Sequence, residues 1–306
     1  MLQEEPTRPL ELDKMVTIVI PTLNEEQGLG KVLEELKLLG LKNILVVDGY
    51  SSDRTVDIAT QMGAKVVYQH GKGKTGAIKT AIYSVNTPYM VVMDGDFTYD
   101  ASCIDRFLQH MNSYDEVIGA RMTSSNNMSH LHKFGNMVIT KIFNLLMNTN
   151  LSDVCSGMYL LRTSSARELN LETDGFDVEA EIAAQIASSG GITEVPVIYR
   201  PRLGKQKLST WKHGFKIVRS IFGLARSYNP GAFYSMLGSL LLIPAGLLLF
   251  NSLMEWIGAG LITSEWFLMG ISMLIVAMQA MSVGAISLIF RRTELRIARR
   301  LRKLGI

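Results

Sequence analysis

The residues best placed to do chemistry are Asp94-Gly95-Asp96, which close the apolar run Tyr89-Met90-Val91-Val92-Met93. A β-branched run of this kind reads as a buried strand. In an extended chain alternate side chains share a face, so the spacing lets two carboxylates converge beyond a strand's C-terminal end. Two hard oxygen donors suit Mg2+ or Mn2+, above all when a diphosphate supplies further ligands. Gly95 leaves room for the backbone to approach a ligand. An acidic turn after a core strand has the same composition, so the pair needs support from the rest of the chain.

Two other polar turns follow predicted strands: Pro21-Thr22-Leu23-Asn24-Glu25 and Asp48-Gly49-Tyr50-Ser51-Ser52-Asp53. Short polar side chains at strand ends can bind a base and a ribose, and helix N-caps explain either turn equally well. Gly71-Lys72-Gly73-Lys74-Thr75-Gly76 tempts a phosphate-loop reading, but Tyr68 stands where a Walker A sequence needs its first glycine. The segment still offers backbone amides, positive charge and a helix start to a diphosphate.

The elements that position these residues alternate. Strands are predicted at 16–20, 44–47, 65–68, 89–93, 116–119 and 192–198. Helices are predicted over 25–40, 54–62, 75–85, 101–112, 131–148 and 177–188. Alternation of this kind argues for an α/β fold, a mostly parallel sheet with helices on both faces. In such sheets ligands bind beyond the C-terminal strand ends, which places Pro21, Asp48 and Asp94 on one edge. Residues 1–14 are polar, carry two prolines and read as a flexible tail. The catalytic domain is then 15–208.

A hydrophobic fraction of 47% and a mean hydropathy of +0.18 are too apolar for an ordinary soluble enzyme, while 19% charged residues are too many for a wholly membrane-embedded chain. The excess lies at the C-terminal end. Residues 232–250 and 266–290 carry no charge and are long enough to cross about 30 Å of hydrocarbon as helices. They define a transmembrane hairpin over 231–290. The linker 251–265 has Glu255 and Glu265 but no Lys or Arg, whereas 291–306 carries Arg291, Arg292, Arg296, Arg299, Arg300, Arg302 and Lys303. That asymmetry predicts an integral membrane protein with its catalytic domain and both termini cytoplasmic. Before the first span, 209–230 reads as an amphipathic interface helix, with Lys212, Lys216, Arg219 and Arg226 on one stripe and Trp211, Phe215, Val218, Ile221 and Phe222 on another. Cys103 and Cys155 make no disulfide framework, which fits a reducing compartment. No charged-then-apolar segment opens the chain, so no leader is expected.

In order and spacing these motifs resemble glycosyltransferase family 2. The match runs through Pro21 to Glu25, Asp48 with Ser51 and Asp53-Arg54-Thr55, Gly73-Lys74 with Ala77-Ile78-Lys79, and Asp94-Gly95-Asp96. Arg121, Asp153-Val154-Cys155-Ser156-Gly157, Glu194-Val195-Pro196, Arg202, Gly204, Lys207 and Leu208 resemble its dolichyl-phosphate mannose synthase branch. The resemblance covers about 15–210. It implies a GT-A fold, Rossmann-like, using a nucleotide-sugar donor. Pro21, Thr22, Asn24, Glu25, Asp48, Ser51, Lys74, Lys79, Gly95, Arg202 and Lys207 would bind the nucleotide sugar. Asp94 and Asp96 would hold the metal and the donor diphosphate, and with Arg121 would be catalytic. Arg121, Lys133 and His132 would meet the acceptor phosphate. Four positions depart from the family pattern: Gly49 replaces a second aspartate, Thr98 a metal-side glutamine, Gln206 a serine, and Lys133 with His130 and His132 a second arginine. Asp177 and Glu179 stand where the wider family has acceptor-side carboxylates.

The implied reaction is inverting transfer of one sugar, with GDP-mannose favoured and UDP-glucose or UDP-N-acetylglucosamine as alternatives, to dolichyl or polyprenyl phosphate. No nucleic acid partner is implied. A processive polysaccharide synthase would carry a Gln-x-x-Arg-Trp signature, which Gln206 and Trp211 do not form. A non-catalytic nucleotide-sugar-binding scaffold would have no need of Asp94, Asp96 and Arg121 together.

Overall fold

The computed structural model describes residues 8–121, 130–172, 178–189, 191–204, 210–260 and 264–303. Two compact units meet at 221/222, and helix 210–228 runs across that boundary.

The first unit is built on a seven-stranded sheet. Its strands are β1 (Val16–Thr22), β2 (Ile44–Asp48), β3 (Lys65–Tyr68), β4 (Tyr89–Val92), β5 (Glu116–Arg121), β6 (Tyr159–Arg162) and β7 (Ile192–Val197), in the spatial order β3-β2-β1-β4-β6-β5-β7. β6 pairs antiparallel with β4 and β5, and the other pairings are parallel. The chain leaves β1 toward β2 on one side and returns to pair β4 on the other. This reversal of strand order opens the crevice in which doubly wound sheets bind ligands.

Helices α2 (Leu29–Leu38), α3 (Thr55–Gln61), α4 (Gly73–Ser84), α5 (Ile104–Leu108), α6 (His130–Met147), α7 (Thr163–Arg167) and α8 (Val178–Ser189) follow α1 (Arg8–Met15). The apolar residues repeating at helical spacing in α2 are its buried stripe: Leu29, Val32, Leu33 and Leu36. They join Ile18, Ile20 and Val91 in the core on one sheet face, while Val19, Val47, Met90 and Val92 meet Ile78, Ile82 and Ile182 on the other. Burial on both faces explains why the strands read as continuous apolar runs.

Three local expectations change. The segment 8–15 is helical rather than loose, and the Asp13 side chain accepts from the Lys42 and Asn43 amides at 3.0 and 3.2 Å. The 101–112 helix splits into a 3₁₀ turn, Ala101–Cys103, and the short α5. Asp100 caps that turn by accepting from the Ser102 amide. The strand β6 and helix α7 are additional elements.

α9 (Thr210–Tyr228), which crosses the boundary, leads to α10 (Pro230–Ala259) and α11 (Ser264–Lys303) of the second unit. Asn229 caps α10, Pro230 starts it and Gly260 ends it at φ 66°. Pro230–Gly258 and Glu265–Phe290 are long and apolar enough to cross a membrane, with mean hydropathies of 2.0 and 2.1. The two helices pair as a hairpin. A side chain at Gly231 would strike Leu288, one at Gly238 Met281, and one at Gly270 Leu249. Their outer faces, including Leu240, Ile243, Leu247, Ile275, Ile286 and Phe290, are exposed. α11 runs on through the basic segment to Lys303 instead of ending near 290.

Candidate active site

β4 ends at Val92, so Asp94 and Asp96 stand in the turn beyond it rather than on the pleated strand. Strand alternation therefore does not bring them together; the shape of the turn does. A β-carbon on Gly95 would lie 3.2 Å from Ile20 Cγ2 and Thr22 Cγ2, and one on Gly28 would lie 2.7 Å from the Gly95 carbonyl. The start of α2 thus presses on the turn. Phe97 adopts φ 67°, with Lys31 at 5.5 Å and Arg200 at 4.7 Å from its ring centroid. The strap after β7 is laced across the turn: the Arg200 amide donates to the Thr98 carbonyl at 2.7 Å and the Leu203 amide to the Asp96 carbonyl at 3.1 Å.

Two cations and four carboxylates meet here. Lys74 Nζ is 2.6 Å from Asp94 Oδ1 and 2.6 Å from Glu179 Oε1. Arg202 Nη1 is 2.7 Å from Asp96 Oδ2, and its Nη2 is 2.7 Å from Glu25 Oε1. Asp96 Oδ1 accepts from the Thr98 amide at 3.1 Å and from the Thr98 hydroxyl at 2.5 Å. Burial, then the charge of Asp94, raise the Asp96 carboxyl above its ordinary range. Burial alone would depress the Lys74 ammonium, but Asp94 and Glu179 hold it well above its usual value. Among the described residues no three His, Cys, Asp or Glu side chains gather as a metal cage. The cluster nevertheless has two more carboxylates than cations, the charge of one divalent ion. That set fits a cation completed by ligand oxygens.

At the β1–β2 end, Asp48 is fully buried. Its Oδ1 accepts from Thr22 Oγ1 at 3.1 Å and Ser51 Oγ at 2.5 Å, and its Oδ2 from the Ser51 amide at 2.8 Å. The Asn24 amide donates to Ser51 Oγ, and Asn24 Oδ1 accepts from the Ser52 amide, both at 2.8 Å. Thr22, Asn24, Asp48 and Ser51 therefore form one polar rim, with Pro21 and Glu25 beside them in the same stretch of chain. Exposed Tyr50 and Tyr68 stack beside it with centroids 5.3 Å apart. Lys79 is not brought to the cluster. It lies five positions beyond Lys74, about 140° around α4, and is exposed.

Arg121, the last residue of β5, is locked to Asp153: Nε to Oδ2 at 2.6 Å and Nη2 to Oδ1 at 2.7 Å. Nη2 also donates to the Cys155 carbonyl at 3.2 Å, and Asn136 Nδ2 to Asp153 Oδ1 at 2.9 Å. Burial works against the Asp153 charge, yet Arg121 holds that carboxyl below its ordinary range. The loop 153–157 then reaches Asp94. A β-carbon on Gly157 would overlap the Asp94 carboxylate, and the Gly157 amide donates to the Tyr99 hydroxyl at 2.7 Å. Lys133 is half-buried in the first turn of α6. The His132 side chain, Lys207 and Asp177 lie outside the described residues.

The glycosyl transferase family 2 model matches residues 17–169, half of the chain, including Asp48, Lys74, Asp94, Asp96, Arg121 and Asp153, while Glu179 and Arg202 lie beyond it. The chain belongs to glycosyl transferase family 2. Over 275 residues this transferase is 30% identical to glycosyltransferase AglJ of Haloferax volcanii, covering 87% of each chain. It is 34% identical over 211 residues to the dolichyl-phosphate hexose transferase of the same organism, covering 67% of this chain and 92% of that one. Its fold resembles glucosyl-3-phosphoglycerate synthase of Mycobacterium tuberculosis, solved with Mn2+, uridine diphosphate and phosphoglyceric acid. The TM-score is 0.57 at 16% identity, over 71% of this chain and 79% of that one. The transferase has a GT-A fold.

Sequence reasoning missed three parts of the transferase's site. From the sequence Glu179 reads only as an acceptor-side carboxylate, and its bond to Lys74 depends on how α8 meets α4. Gly157 lay inside a recognised motif, yet nothing local says that a carboxylate lies against it. Tyr99, which receives the Gly157 amide, reads as one more core aromatic.

Proposed function

We propose that this transferase moves a single sugar from a nucleotide-sugar donor to the phosphate of a dolichyl or other polyprenyl lipid, at the cytoplasmic face of a membrane and with inversion at the anomeric carbon. GDP-mannose is the favoured donor, with UDP-glucose and UDP-N-acetylglucosamine as alternatives. The observation that carries the reading is the Lys74–Asp94–Asp96–Arg202 cluster at the crevice between β1 and β4, in a chain that also has two helices long enough to span a bilayer. The similarity to a dolichyl-phosphate hexose transferase supports the acceptor class.

Asp94 and Asp96 would hold Mg2+ or Mn2+, which supplies positive charge to the departing diphosphate when bound. Lys74 and Arg202 would add charge to the same oxygens. The β1–β2 rim would take the nucleoside, with Lys207 closing over the donor. Arg121, Lys133 and His132 would orient the acceptor phosphate. A phosphate monoester has a second pKa near 6, so its oxygen needs no general base. Glu179 fits this economy, because its carboxylate is engaged by Lys74 rather than offered to an acceptor. The two spans would anchor the chain in the membrane that holds the lipid acceptor.

The test is transfer of radiolabelled sugar from each of the three donors into an organic-extractable, mild-acid-labile product, with dolichyl and undecaprenyl phosphate as acceptors. The reading expects one donor to dominate and activity to vanish with EDTA and return with Mg2+ or Mn2+. Product that stays water-soluble would refute the acceptor class.

A further inference from the structure

Each cation of the donor site is shared between two carboxylates of different kinds. Lys74 stands between Asp94 and Glu179, and Arg202 between Asp96 and Glu25. One member of each pair belongs to the turn after β4. The other is rooted elsewhere: Glu179 in the first turn of α8, Glu25 in the turn after β1. Each turn carboxylate already has one oxygen on a cation, Asp94 Oδ1 on Lys74 and Asp96 Oδ2 on Arg202. Thr98 occupies Asp96 Oδ1 with two hydrogen bonds, and the Asp94 carboxylate lies against Gly157, where a β-carbon would overlap it. A divalent cation arriving alone meets two positive charges already seated on its ligands.

We propose that Lys74 and Arg202 are internal counter-ions, which keep the Asp94–Asp96 pair neutralised until a nucleoside diphosphate arrives, so that metal and diphosphate enter by one exchange. The turn carboxylates pass to the metal, and the two cations pass to the diphosphate. Glu179 and Glu25 are positioning residues in this exchange. They hold each cation at the site while its other partner is taken. The inference rests on the metal and donor assignment above.

The donor chemistry supports it. An ammonium has three protons, so a Lys74 held by Glu179 keeps protons for phosphate oxygens. Arg202 Nε is buried and has no hydrogen-bond partner among the described residues. A guanidinium left with an unfilled position in its fork is matched by a phosphate, whose oxygens accept two parallel hydrogen bonds. Lys74 sits in the first turn of α4, where helix amides also face an anion. Coupling of this kind is reciprocal: diphosphate tightens metal binding by the factor by which metal tightens diphosphate.

The experiment titrates the full-length protein in detergent with Mn2+, following free Mn2+ by electron paramagnetic resonance, alone and with GDP or UDP. No acceptor is present and no turnover is read. Wild type should bind Mn2+ weakly alone and at least about tenfold more tightly with the matching diphosphate. Lys74→Met and Arg202→Gln, made separately, should each bind Mn2+ alone about tenfold more tightly than wild type and lose most of the diphosphate coupling. Glu179→Gln and Glu25→Gln, which remove a charge and leave the shared cation to the turn carboxylate alone, should bind Mn2+ alone no more tightly than wild type and weaken the diphosphate. If both folded cation variants bind Mn2+ alone no better than wild type, while Asp96→Asn abolishes binding of Mn2+ with diphosphate, the exchange is wrong and the metal site stands. If Asp94→Asn and Asp96→Asn both leave binding of Mn2+ with diphosphate intact, the metal assignment fails and takes the exchange with it.

Discussion

Arg202 and Arg121 both meet aspartates at the C-terminal edge of the sheet, yet they are held in opposite ways. Arg202 gives one nitrogen to Asp96 and another to Glu25, two carboxylates on two separate segments. Arg121 gives Nε and Nη2 to the two oxygens of one carboxylate, Asp153, in the bidentate geometry that fixes a guanidinium most firmly. Arg121 is also braced by the Cys155 carbonyl and by the ring of Tyr199, 5.5 Å from its Cζ. The Asp94–Asp96 side is therefore assembled from divided ion pairs, each cation shared between two carboxylates. The Arg121 side is a fixed brace that sets where the 153–157 loop stands. A contact of Arg121 with an acceptor phosphate would have to use what that brace leaves free.

The largest effect is expected on the divided side. Asp96→Asn keeps the shape and the Thr98 bonds but removes a charge, and should lower kcat for lipid-linked sugar formation by about 10³-fold or more. Thermal unfolding should shift little, because burial and Asp94 already strain the ionised carboxylate. Retention of a tenth of wild-type kcat would remove Asp96 from the catalytic set.

The fixed side should respond first in stability. Arg121→Ala leaves Asp153 buried without its counter-charge and should cost about 3–5 kcal/mol, read by denaturant or thermal unfolding. The double variant Arg121→Met with Asp153→Leu should recover most of that loss, since apolar groups often replace a buried ion pair well. Activity of the double variant then separates the two roles. Recovered transfer would make Arg121 a brace alone, whereas restored stability without transfer would mean that its charge also meets the acceptor phosphate.

The contrast was only half legible in the sequence. Strand ends at Pro21, Asp48 and Asp94 could be read because β-branched runs stop at polar turns, and the apolar helices because their length exceeds any ordinary core element. The carboxylate pair was readable as a motif, though the strand pleat was the wrong reason for it. The short segment β6 escaped because its four residues, Tyr159-Leu160-Leu161-Arg162, show no alternation and sit at the lower limit of strand length. The Lys74–Glu179 bond was out of reach because it joins helices far apart in the chain. Lys79 was grouped with Lys74 by motif, and helix geometry turns it away.

Gly157→Ala probes the link between the two sides. The added methyl overlaps the Asp94 carboxylate and must displace it or the loop. A misplacement of about 1 Å at a reacting centre can cost about 10²-fold, and a kcat loss of that order is expected. If the effect acts through Asp94, the half-saturating Mn2+ concentration should rise as well. A kcat loss with unchanged metal dependence would locate the damage on the Arg121 side of the loop.

The smallest effect concerns a carboxylate that belongs to neither side. Glu116, at the start of β5, is buried, and its Oε2 has no hydrogen-bond partner among the described residues. Burial, then the charge of Glu179, hold its carboxyl well above the ordinary range. The folded chain therefore keeps a proton that the unfolded chain, titrating near pH 4.3, releases. Stability contributed this way is greatest at low pH and falls as pH rises toward the folded-state value. Glu116→Gln imitates the protonated form and removes that dependence. It should raise Tm by about 3 °C at pH 8 and leave it unchanged at pH 4. A gain of equal size at both pH values would assign the effect to packing instead. A loss at pH 8 would mean that the ionised carboxylate has a stabilising partner within the fold, and that burial is not what governs it.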